Sequence, residues 1–358
     1  MTAPQSSNLF AQQEANRRRS RWLVVGFVLF FGWVGFGGDL AFGLLTANAP
    51  PGSYHHVFPF IGIITTLVAG AICRSAWVNG AKRVLWSTGA VELVTPATPE
   101  EKQLDNVVEE MAIASGMPKP KIWIVPDDDP NAFATGRDPQ SANIAVTEGL
   151  LKTLNRDELQ GVIGHEMAHI ANWDTRLMTL LAGMVGAVAL MSNGLGRMLG
   201  NGVRVGGISG GTSGGRGGGE KKSDLGGLGL VVLVLWLLTL VIAPIVTRVL
   251  AMAVSRKREF LADATGAQFT RNPAALASAL EKLDAASAPT RAIRSGAAHL
   301  CIVDPSPSLW SEREGALSDV FASHPSIRER VARLQGMAYQ FGPPASAPTV
   351  AGPTVTGA

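Results

Sequence analysis

The 358-residue chain is 46% hydrophobic and only 16% charged, with a mean hydropathy of +0.20. That balance excludes a disordered chain and an ordinary soluble enzyme of this length, and it points to a membrane protein. A net charge of +3 without a basic and aromatic patch gives no reason to expect a nucleic-acid partner. Cys73 and Cys301 are the two cysteines, too few for a disulfide framework or a Cys-based zinc knuckle, so any metal site must use His, Asp or Glu.

In chain order, four apolar runs approach the length that crosses a bilayer: Trp22–Leu45, Val57–Val78, Leu177–Leu199 and Leu228–Val246. The first follows Arg17, Arg18, Arg19 and Arg21. Ala47-Asn48-Ala49 imitates a signal-peptide cleavage site, but the run is too long for a signal's core and Pro50 would follow the cut, so an uncleaved span is expected. The loop from Thr46 to His56 lacks Lys and Arg, whereas Arg74, Lys82 and Arg83 follow or end the second run. The positive-inside rule therefore puts the N-terminus and the chain after residue 80 in the cytoplasm. Arg197, Arg204, Arg216, Lys221 and Lys222 leave the second hairpin open: it either crosses despite them or only dips into the membrane. Both versions return the chain to the same side. Asp39, an intramembrane carboxylate near the outer end of the first run, is either functional or an interfacial residue. Residues 193–229 hold sixteen glycines, a linker composition, and the tail after Phe341 reads as disordered.

Between the second and third runs, Thr98-Pro99-Glu100-Glu101 predicts a capping box, with Leu104, Val107, Val108 and Met111 at helical spacing behind it and Gly116 and Pro118 as the stop. Lys121–Val125, Ala132–Thr135 and Asn143–Val146 predict a small sheet. A helix capped by Asn155 and Glu158 carries the chemistry, because Val162-Ile163-Gly164-His165-Glu166-Met167-Ala168-His169-Ile170 contains HExxH. Positions i and i+4 put both imidazoles on one helix face, and two neutral His donors suit zinc. Glu166, about 100° round the helix, can reach a water at the metal without taking a coordination position. Gly161 and Gly164 leave room around His165. A third ligand is required, and Glu259 with Asp263 offers a second i, i+4 pair: Glu259 as ligand, Asp263 as hydrogen-bond acceptor for a ligand imidazole. Asn172 and Asp174 read as helix-end and membrane-boundary groups, Trp173 as an interfacial anchor, and His55, His56 and His299 as outside the site.

At these residues the chain resembles the membrane-bound zinc metalloproteases of the HtpX type, related to the CAAX prenyl-protein peptidases. The resemblance runs from about residue 100 to 335 through Asn131-Ala132-Phe133-Ala134-Thr135-Gly136, Val146-Thr147-Glu148-Gly149-Leu150-Leu151, the HExxH helix, Glu259 to Asp263, and Phe321-Ala322-Ser323-His324-Pro325-Ser326 with Arg330. It implies that His165, His169 and Glu259 bind one zinc ion and that Glu166 is the general base and acid. It further implies that Asp263 supports a ligand His, and that Asn131, Ala132, Phe133 and Ala134 form an edge strand along which substrate pairs. His324 would stand near the metal as a catalytic donor, with Arg330 as a structural partner; Ser323 and Ser326 depart from the family's usual Thr-His-Pro-Pro. The expected architecture is a mainly α-helical membrane protein with up to four transmembrane helices and a cytoplasmic α+β zincin-like metalloprotease domain with a small sheet, split by a membrane hairpin. Its parts would be 1–79 (tail and first two spans), 80–176 and 253–340 (the protease), 177–252 (hairpin) and 341–358 (tail). The resemblance implies cleavage of misfolded or damaged membrane proteins at the cytoplasmic face of a bacterial inner membrane, with polypeptide substrates and the lipid bilayer as partners. A prenyl-protein endopeptidase and a non-catalytic membrane scaffold are the alternatives.

Overall fold

The structure, a computed structural model, describes residues 9–46, 50–184, 234–236, 238, 256–286, 300–302 and 325–341. The linker 193–229, most of the third and fourth apolar runs and the tail lie outside them. The chain divides into two compact units, 1–84 with 176–251 and 85–175 with 252–358.

In the first unit, α1 (Leu9–Thr46) and α2 (Phe60–Ser87) are long and apolar enough to cross a membrane, over Gln13–Leu44 and Phe60–Ser87. They approach through small residues: a Cβ on Gly35 would sit 2.8 Å from the Gly62 Cα, too close for anything larger than glycine. The segment before α2 ends in Phe58-Pro59 and offers no capping side chain. The cap comes from α1 instead. Asp39 accepts from the N–H groups of Ile61 (3.1 Å) and Gly62 (2.6 Å), and its Oδ1 lies 2.7 Å from His56 Nε2. Since a carboxylate only accepts, His56 donates through Nε2 and its Nδ1 meets the Tyr54 hydroxyl at 3.0 Å. Asp39 thus locks the hairpin of α1 and α2. The start of the third run is helical over 174–184 and packs on α2 where Gly80 meets Thr179 and Gly183 meets Ala76.

In the second unit, α3 (Pro99–Ser115) starts at the expected Thr98–Glu101 capping box and ends at Gly116, whose φ of 67° is the left-handed geometry glycine accommodates. A four-stranded sheet follows, in order β1 (Val91–Glu92), β2 (Lys121–Val125), β4 (Asn143–Thr147), β3 (Ala132–Thr135). β2 and β4 are parallel; β3 runs antiparallel to β4 and forms an edge. The two-residue β1 has no signature in the sequence. α4 (Glu148–Thr153) leads into α5 (Arg156–Ala171), capped by the Asn155–Glu158 box. Then come α6 (Arg256–Thr270), α7 (Pro273–Ala285) and α8 (Ile327–Phe341).

α5 is the central element, with Leu159, Val162, Ile163 and Met167 in one core with Leu104 and Ile144. Burying each such side chain is worth about 1.5–3 kcal/mol. The space at its glycines is not left around the imidazole but filled by neighbouring helices: a Cβ on Gly161 would lie 2.9 Å from the Leu276 backbone in α7. The converse contact is Gly266 of α6, where a Cβ would lie 2.9 Å from the His165 backbone nitrogen. Gly266→Ala should therefore push α6 off α5, destabilise the unit by about 1–3 kcal/mol and carry Glu259 away from the two His. Thermal unfolding and metal content of the purified variant check this.

Candidate metal centre

One turn of α5 projects His165 and His169 the same way, and α6, held against it at Gly266, brings Glu259 to them. The two Nε2 atoms lie 3.2 Å apart, and Glu259 places Oε2 3.6 Å from His165 Nε2 and Oε1 3.7 Å from His169 Nε2. All three donors fall within 4.8 Å of one another. Donors about 2.0–2.2 Å from one tetrahedral ion are separated by about 3.4 Å; the two imidazole nitrogens stand at close to that spacing, and the Glu259 carboxylate turns one oxygen toward each of them, near enough to share an ion. Two N and one O donor, neutral and anionic, suit zinc. The electrostatics agree: burial alone would lower the His165 pKa, but the Asp263 and Glu259 carboxylates outweigh it and push it up to about 9. The same carboxylates favour a divalent cation, which binds the neutral imidazole and displaces that proton.

Each imidazole is oriented from behind. His165 Nδ1 lies 2.9 Å from Asp263 Oδ1. Asp263 is in turn gripped by Arg330 of α8, with Nε 2.9 Å from Oδ2 and Nη2 2.7 Å from Oδ1. Burial would raise Asp263, yet the Arg330 charge and the bonds from His165 and Arg330 hold it at about 2. His169 Nδ1 lies 3.1 Å from Asp174 Oδ2. That partner was not legible in the sequence, where Asp174 reads as a boundary group. α5 stops at Asn172, and Trp173 takes a left-handed φ of 61°, which folds the chain back so that Asp174, 1% exposed, faces His169. An acidic residue five positions past the second His is the only signal, and helical spacing cannot interpret it.

Glu166 is 1% exposed, and neither of its oxygens has a hydrogen-bond partner within 3.5 Å among the described residues. Burial pushes its carboxyl up; the charges of His165 and His169 oppose this, and to a lesser degree so does the Ala134 N–H. Asn131, Ala132, Phe133 and Ala134 are all buried, on or beside edge strand β3. His324 and His299 lie outside the described residues. His56 is engaged by Asp39 in the membrane unit.

A small mixed sheet backed by an HExxH helix, with a third carboxylate donor from a later helix, defines a metallopeptidase. A family model, Peptidase family M48, matches residues 98–338, and the chain belongs to that family. It is 37% identical over 329 residues, 92% of this chain and all of the relative, to a protease HtpX homolog of Streptococcus gordonii. It is 43% identical to that of Caldanaerobacter subterraneus over 73% of this chain and 80% of the relative. A crystal structure of S. mikatae Ste24p superposes with a TM-score of 0.42 at 16% identity, covering 92% of this chain and 66% of that one. The chain is a membrane-bound metalloendopeptidase with a metal cofactor.

Proposed function

We propose that this protein is an integral-membrane zinc endopeptidase that hydrolyses misfolded or damaged membrane proteins at the cytoplasmic face of a bacterial inner membrane. The observation that carries the reading is the meeting of His165, His169 and Glu259 within 4.8 Å of one another, with the buried Glu166 carboxylate on the helix of the two His and no hydrogen-bond partner within 3.5 Å among the described residues. Zinc, when bound, supplies a Lewis acid and a water whose pKa is lowered toward ~7. Glu166 would accept a proton from the water that attacks the scissile carbonyl and return it to the departing amine. Asp263 and Asp174 fix the two imidazoles with Nδ1 as donor, which leaves the two Nε2 atoms side by side to hold the metal. β3 offers backbone groups for an extended peptide, and His324 donates to the oxyanion.

The arginines toward the start of the first span and Arg74, Lys82 and Arg83 in the second half of α2 support a cytoplasmic active site. A full crossing by the fourth run is supported by Trp236, whose indole N–H donates to the Val34 carbonyl at 3.1 Å and whose ring fills the surface at Gly37, toward the outer end of α1. Four spans then give the even number that returns the chain to one side.

The test is cleavage of an unfolded membrane protein by the detergent-purified chain, with loss on chelation and recovery with zinc; an enzyme indifferent to chelation sinks the proposal. Asp174→Asn keeps an acceptor for His169 but removes its charge, and is expected to weaken zinc binding about 10- to 100-fold, with Asp174→Glu recovering part. Competition with a chromogenic chelator measures it; affinity equal to the parent's would make Asp174 a mere helix-end residue.

A further inference from the structure

The outer edge of β3 is already paired. The Thr147 N–H donates to the Asn131 carbonyl at 3.0 Å, and antiparallel alternation then turns Phe133 and Thr135 toward β4 and the backbone groups of Ala132 and Ala134 outward. On that outward side Phe133 forms an antiparallel bridge with Cys301, and the Ile302 N–H donates to the Ala132 carbonyl at 3.0 Å. Ile302 does not complete the usual reciprocal pair. Its carbonyl accepts from Arg330 Nη1 at 3.1 Å, while the Ala132 N–H goes to Asn131 Oδ1 at 3.0 Å. Leu300, Cys301 and Ile302 are all buried. The chain's own segment therefore stands along the strand beside Glu166, in antiparallel register.

We propose that Leu300–Ile302 is a strap occupying the place of the substrate strand, which an incoming polypeptide must displace before it reaches Glu166. This rests on the reading of β3 as the substrate edge. One row of N–H and C=O groups serves one strand at a time, so strap and substrate exclude each other. The strap offers a short, one-sided pairing. A longer extended segment replaces it with more backbone bonds, whereas a folded protein with its backbone already paired has nothing to offer. The strap thus selects for unfolded polypeptide. It also ties the edge to the metal centre, because Arg330 holds Ile302 and Asp263 together.

The bridge supplies its own test. Phe133 and Cys301 oppose each other as a non-hydrogen-bonded pair, whose Cα atoms stand about 4.5 Å apart in such ladders, within disulfide range. In the full chain, Phe133→Cys can therefore be oxidised onto the native Cys301. Oxidation should cut cleavage of an unfolded polypeptide at least about tenfold, reversibly by dithiothreitol and with zinc content unchanged, and Phe133→Cys/Cys301→Ser should not respond. A crosslinked enzyme that cleaves at the reduced variant's rate overturns the strap. Ala134→Pro, which removes an outward N–H, then separates the two readings: a KM raised about tenfold keeps β3 as the substrate edge beside a strap that stays, and an unchanged KM removes β3 as well. If Phe133→Cys does not fold, amide exchange of Ile302 in Glu166→Gln serves instead. Saturating unfolded polypeptide should speed that exchange about tenfold, and unchanged or slower exchange overturns the proposal.

Discussion

Glu166→Gln is expected to lower peptide hydrolysis by about 100- to 10,000-fold while leaving zinc content at the parent's level. The two halves of that expectation come from different parts of the site. The ion would be held by His165, His169 and Glu259, whose mutual distances of 3.2, 3.6 and 3.7 Å do not involve Glu166. The proton would be moved by Glu166, whose buried oxygens have no hydrogen-bond partner within 3.5 Å among the described residues. Gln keeps the shape and removes the base. It also removes a buried carboxylate without a hydrogen bond, which is costly in the metal-free protein, so the variant should unfold at the parent's temperature or above it. Cleavage within tenfold of the parent would reject the assignment. A variant that loses zinc as well would place Glu166 among the metal's supports rather than in the chemistry.

What the sequence made legible is what is local along a helix. HExxH and the Glu259–Asp263 pair could be read because i, i+4 spacing fixes geometry within one element, and the Thr98 and Asn155 capping boxes for the same reason. Contacts across elements, beyond those that Glu259 and Asp263 make to the two His, were not legible. Nothing before α2 announces that its cap comes from Asp39, on another helix; the sequence showed only a carboxylate in an apolar run. Asp174 was hidden by one left-handed residue, Trp173, a conformation a bulky L-residue rarely adopts and composition does not foretell. The glycines of α5 look in the sequence like space for an imidazole, but in the fold they mark the close approach of two other helices. The strap at Cys301 is a non-local pairing of three residues, too short to carry an alternation pattern.

Arg330 shows how much depends on such non-local contacts, and replacing it should be the largest stability effect in the metalloprotease unit. Its guanidinium is 1% exposed and makes three contacts: a fork onto Asp263 of α6, a carbonyl bond to Ile302, and Glu259 Oε2, also of α6, at 3.6 Å from Nη1. Arg330→Ala leaves two buried carboxylates without their cation, a loss of about 3–5 kcal/mol. Because the Asp263 pKa is depressed to about 2, the stability this clamp contributes is full above about 3.9 and is lost only as pH falls through about 2. The parent should therefore outlast Arg330→Ala in thermal unfolding across the whole neutral and mildly acidic range. Arg330→Lys should recover only part of the loss, since a single ammonium cannot reproduce the two parallel bonds to Asp263. Adding Asp263→Asn to Arg330→Ala separates charge from packing. If the loss is electrostatic, the double variant is more stable than Arg330→Ala; if it comes from the cavity left beside Val331 and Leu334, the second substitution does not help. Metal retention should follow the same order, because Asp263, released from Arg330, no longer fixes His165 for the ion.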